Sequence, residues 1–183
     1  MNAIEITIIG RERPDPLLVE VLAYLDNVNL IYEIGRLGTD DSYAQIDLPP
    51  PPLFWSYRRQ PSALADADRL ILDYLSHESP TKLIAKITCT AAAISAMWAL
   101  VQMADYIEMK PQNREKLRLE IENLRMEHER LEKERGYPFP LTEHQAAQKI
   151  AERHGHVPLK RTSEWLARSP VRIEEVGVRL VDK

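Results

Sequence analysis

The sequence predicts an α+β fold: a small sheet carrying one packed N-terminal helix, plus a long projecting helix that is first apolar and then charged. Three observations lead there. Ile4, Ile6 and Ile8 alternate with Glu5 and Thr7, the period of a strand with one buried face. Val176, Val178 and Leu180 alternate in the same way near the other end. Between them, Ile87 to Ala104 holds no charged side chain, and after Pro111 the chain reads QNREKLRLEIENLRMEHERLEKER, almost all of it strong helix formers.

Composition sets broad limits. A chain of 183 residues can bury one real core. The formal charge of −4 divides into +3 from Lys110 onward and −7 before it, too weak an asymmetry for a nucleic-acid stripe. A single cysteine, Cys89, excludes an intrachain disulfide framework and fits a reducing compartment. Its neighbours Thr88, Thr90 and Ala91 supply no activating histidine, so it reads as a small buried hydrophobe. MNAIEITIIG has neither a basic n-region nor a long apolar run, so no secretory signal is expected. The expected location is the cytoplasm, or its face of a membrane.

Taken in order, Ala3–Ile9 is the first strand, with Gly10 as its end. Asp15-Pro16 is a helix start, and Leu18, Val21, Leu22, Leu25, Val28 and Tyr32 recur at helical spacing up to a stop at Gly35 and Gly38. Thr39 to Asp68 is irregular and contains Pro49, Pro50, Pro51 and Pro52, which favour polyproline II. Asp47 followed by Leu-Pro-Pro-Pro-Pro resembles the short ligands of EVH1 domains; the plainer reading is a stiff connector. Arg69–His77 is apolar on both faces, which predicts a central strand.

Ser79-Pro80 repeats the cap-plus-proline signal and predicts a helix running to about Met109, kinked or broken at Pro111, then continuing to Arg135. Thr142 and Gln145 form a capping box, with Leu141 and Ala146 as a staple, for a helix reaching His154 and stopping at Gly155. A last helix, around Arg161 to Arg168, precedes the strand Val171–Val181. The expected sheet is Ile4–Ile9, Arg69–His77 and Val171–Val181. The expected units are a head (1–79 with 156–183), a helical stalk (80–135) and a connector with a short capped helix (136–155).

The charged helix places Leu117, Ile121, Leu124, His128 and Leu131 at alternating steps of four and three, a coiled-coil-like seam. The uncharged stretch carries small-residue ridges, Thr88/Ala92/Ala96 and Ala91/Ser95/Ala99, that allow close helix approach. It can be read as a bilayer span, a buried helix or a self-association helix. The expected oligomer interface is the seam together with Ala92, Ala96 and Trp98. On this view Trp98, Leu100 and Val101 are covered only in an oligomer, by Leu18, Leu22 and Leu25 and a second copy.

No cofactor or metal is expected. His144, His154 and His156 have no cysteine beside them, and no GxGxxG, GKS/T, GxSxG or HExxH motif occurs. Lys160, Arg161 and Arg168 would be phosphate contacts if the C-terminal helices and strand formed a winged helix-turn-helix; the alternative is that the strand completes the sheet. The expected function is a non-enzymatic, self-associating interaction or scaffold protein. The alternatives are a membrane-tethered protein spanning through 87–104 and a DNA-binding regulator.

Overall fold

Four strands form one antiparallel sheet, in the order β2-β3-β1-β4, in the computed structural model. The structure describes residues 2–12, 16–46, 48, 62–76, 80–133, 136 and 138–181. The strands are β1 (Ala3–Glu12), β2 (Ile71–Ser76), β3 (Thr81–Thr88) and β4 (Val171–Val181). Among the described residues five α-helices accompany them: α1 (Leu18–Thr39), α2 (Ala91–Tyr106), α3 (Pro111–Glu132), α4 (Glu143–His154) and α5 (Val157–Ala167).

Strand β1 organises the sheet. Ile4 stands between Ile87 and Leu180, Ile6 between Ala85 and Val178, and Ile8 between Leu83 and Val176. The three isoleucines are buried, each stabilising by roughly 1.5–3 kcal/mol relative to exposure. The expected pairing of Ile6 with Val178 is therefore present. Gly10 does not end the strand. A Cβ there would lie 2.6 Å from Val171 Cγ1 and 2.9 Å from the Arg172 carbonyl, so glycine lets β4 close on β1 beside the bulge at Ile9/Gly10.

Two expectations about the sheet are overturned. Thr81–Thr88, read as the start of a helix, is a strand: Leu83, Ala85 and Ile87 are buried while Lys82 and Lys86 point outward. The Ser79-Pro80 signal was outweighed by this alternation. Helix α2 starts later, where the Thr90 hydroxyl accepts from the Ala93 N–H at 3.0 Å. Strand β2 is an edge strand, not a central one: Ile71, Leu72 and Tyr74 are exposed and Leu75 is half-buried.

The long projecting helix is absent. Its apolar part, α2, lies in the core; its charged part, α3, is a separate helix with Pro111 at its first turn and packs on β4 and α2. Trp98, Leu100 and Val101 are 1 %, 2 % and 1 % exposed within one chain, which ends the expectation that an oligomer is needed to cover them. Leu18 and Leu22 are not the cover, since both are exposed. The cover comes from the other end of α1. A Cβ on Gly35 would sit 2.5 Å from the Ala96 carbonyl and 2.9 Å from Ala99 Cβ, so the small-residue ridge receives α1 at its glycine. Gly35 and Gly38 are thus close-approach residues inside α1, not its stop; Gly38 meets Ile150 of α4.

Helix α4 begins at the Thr142/Gln145 capping box and ends at Gly155 with φ +69°, as the sequence predicts. Its entry is fixed to α2: the Leu141 N–H donates to Ser95 Oγ at 2.8 Å, and Trp98 Nε1 donates to the Leu141 carbonyl at 2.9 Å. Side chains from the expected head, stalk and connector all join one contiguous core.

Candidate functional site

The two edges of the sheet are treated differently. An edge strand leaves a row of main-chain donors and acceptors open to a further strand. On β4 part of that row is taken up by side chains of α3. Asn113 Nδ2 donates to the Glu174 carbonyl at 2.6 Å, Glu120 Oε2 accepts from the Val178 N–H at 2.8 Å, and Lys116 reaches Glu175. Leu117, Ile121 and Leu124, on the inner side of the same helix, are buried within their own chain. The heptad spacing here serves helix-on-sheet packing.

Strand β2 has no such cover: among the described residues no strand pairs with its outer edge. Ile71, Leu72 and Tyr74 are 62 %, 51 % and 51 % exposed. A bulge between Leu72 and Tyr74 sets Tyr74 opposite Ile84, so that Ile71 and Tyr74 share the outer face while Leu72 and Leu75 share the core-side face. The single charge in the strand, Asp73, is held by Lys86 Nζ at 2.9 Å.

What positions β2 is a partly buried polar cluster at the end of α1. Arg36 Nη2 donates to Asp68 at 2.6 Å and to Asp40 at 3.1 Å. The Tyr43 hydroxyl donates to the Asp68 carboxylate at 2.6 Å, and the Tyr32 hydroxyl to the Asp68 carbonyl at 3.1 Å. Glu33 accepts from Ser62 Oγ and the Ala63 N–H. Burial pushes both tyrosine phenols up, so they remain donors. The cluster ties residues 62–68, and with them the entry to β2, to a rigid helix. The sequence reading missed it; its signal was a glutamate and an arginine set into an otherwise apolar stretch of α1.

The remaining expected site residues are dispersed. Ala96 and Trp98 are fully buried and Ala92 is half-buried. Leu131 and His128 border a groove of about 310 Å³ with Cys89, Glu127, Glu132 and Leu180. Burial pushes the Cys89 thiol up to about 11, helped by the carboxylates of Glu127 and Glu132. Burial also lowers His128, against the opposing pull of Glu132 and Glu129. Lys160 and Arg168 are exposed and Arg161 is half-buried, on a helix that starts at Val157, not Arg161, and packs on α1, α2 and β4. Pro49, Pro50, Pro51 and Pro52 lie outside the described residues.

Among the described residues no three histidine, cysteine or acidic side chains are grouped to hold a metal ion. Among them, too, no helix is long and apolar enough to cross a membrane. No protein-family model matches the chain, and no curated protein or solved structure matches it.

Proposed function

We propose that this is a non-enzymatic interaction protein that associates with itself by strand addition at β2. The observation that carries the reading is the contrast between the edges: two side chains of α3 bond the main chain of β4, while β2, unpaired on its outer edge among the described residues, exposes three large apolar side chains. Strand addition draws affinity from main-chain hydrogen bonds and selectivity from the alternate side chains. A strand that is apolar on both faces is best met by another of the same kind, and β2 itself is one. Its only carboxylate is already neutralised by Lys86, so two copies would not oppose bare charges. Such a joint extends the sheet across a two-fold axis and makes the protein a self-assembling scaffold.

Sedimentation velocity tests this. The wild type should show a concentration-dependent species heavier than the 21.1 kDa chain. Leu72→Lys with Tyr74→Lys, both at exposed positions, should return it to the single-chain mass with an unchanged circular dichroism spectrum. Leu119→Glu, on the outer face of α3, serves as the control and should leave the association intact. A wild type at single-chain mass throughout, or a double variant that still associates, would refute the proposal.

A further inference from the structure

Near the end of the sheet remote from the Cys89 groove, Arg11 of β1 and Arg172 of β4 are direct cross-strand partners. Like charges directly opposite in a ladder are destabilising. Relief is partial: Glu174 approaches Arg11 at 3.5 Å, in a pair whose arginine side chain is 73 % exposed, and Arg172 has no ion-pair partner among the described residues. Both arginines line a cavity of about 620 Å³, within the range of roughly 300–1,000 Å³ common for small-molecule sites. Ile107, Leu166 and Ile173 give it apolar walls.

A second unfavourable feature meets the same cavity. Glu108 has φ +55°, the left-handed region. The Met109 N–H donates to the Ala104 carbonyl at 3.3 Å, so Glu108 occupies the position just past α2 where glycine is the usual residue. A side chain there costs on the order of 1 kcal/mol, and it places a carboxylate on the cavity wall. Local violations of this kind concentrate where function, not stability, sets the residue.

We infer that this cavity binds a small organic oxyanion, its carboxylate or phosphoryl group on the Arg11–Arg172 pair and a hydroxyl or amine toward Glu108. Charge balance favours such an amphoteric molecule over a simple polyanion. The C-terminal ends of α2 and α5 border the cavity, each bringing about half a negative charge, and Glu108 adds a full one. The two guanidiniums therefore attract an anionic group locally, while Glu108 and the helix ends that line the same cavity attract a donor. Guanidiniums suit the anionic end because they offer paired N–H donors in a fixed fork.

The test uses inorganic phosphate and O-phosphoserine as probes, with sodium chloride at matched ionic strength as reference. Thermal midpoints of the full chain should rise with millimolar phosphate and further with phosphoserine. Arg172→Gln should raise about tenfold the concentration of either probe needed for a given rise, the loss of one charge-assisted pair. Without any probe, Arg172→Gln should be at least as stable as the wild type, because it removes the like-charge opposition. Glu108→Gln should erase only the extra effect of phosphoserine. No shift beyond sodium chloride, an undiminished shift in Arg172→Gln, or an unliganded Arg172→Gln that is less stable would overturn the anion site. Equal shifts from the two probes in the wild type would overturn the role given to Glu108.

Discussion

At the scale of single residues, Cys89 illustrates how position overrides type. The thiol borders a groove, yet it is flanked by Glu127 and Glu132 on α3, and burial and those carboxylates hold it protonated up to about pH 11. Only the thiolate is a nucleophile, so alkylation by iodoacetamide should be slow at pH 8 and keep rising toward pH 11, well past an ordinary cysteine. Glu127→Gln with Glu132→Gln should move that rise to lower pH; a rate that levels off near pH 8.5 in the wild type would contradict the placement. The sign for stability follows. A proton bound more tightly in the folded state supports the fold fully below the ordinary thiol range, and that support is lost as pH climbs through the raised value. The sequence reading of Cys89 as a small hydrophobe agrees in direction, since Thr88, Thr90 and Ala91 offer no base, but the two glutamates that raise its affinity lie some forty residues away on another element and have no local signature.

At the scale of elements, what was legible depended on whether the signal was local. The capping box at Thr142 and Gln145, the alternation of Ile4, Ile6 and Ile8, and the pairing of the terminal strands could all be read directly. Thr81–Thr88 could not be separated from the uncharged run that follows it. Its alternation is diluted by Ile84, which sits half-buried on the outer face, and a cap-plus-proline pair precedes it. The fate of the apolar helix was undecidable for a different reason: small residues at spacing four serve a bilayer, a second copy or a neighbouring helix equally. Gly35 settles it. In an exposed helix Gly→Ala stabilises by about 1 kcal/mol. Here the new methyl would meet the Ala96 carbonyl and Ala99, and α1 and α2 would have to separate. Gly35→Ala should therefore lower stability by about 1–3 kcal/mol in urea denaturation, and a stabilised variant would show the crossing to be looser than described.

At the scale of the whole molecule, the candidate site was the least legible part. Leu117, Ile121 and Leu124 carry a true helical stripe, but a stripe does not reveal whether it meets a partner or its own sheet; β4 takes it up. The edge position of β2 was hidden because apolarity on both faces has the same appearance in a central strand and in an edge strand. Strand β1 ties the molecule together, and removing residues 171–183 tests how tightly. That truncation removes Val171, Ile173, Val176 and Val178 from the core and uncovers one flank of β1. The shortened chain should lose near-ultraviolet circular dichroism from buried Trp98, and a retained signal would mean β1 and β3 suffice. The same arrangement has a consequence in time. Between the end of β1 at Glu12 and the start of β4 at Val171 a ribosome adding about 5–20 residues per second works for roughly ten to thirty seconds, while a local hairpin such as β2–β3 closes in about 1–10 μs. Through that interval an isoleucine-rich strand waits with at least one side unpaired, the state in which such segments find other chains. The strand that orders the finished sheet is thus a hazard of the growing chain, and slower elongation past Thr88 lengthens its exposure.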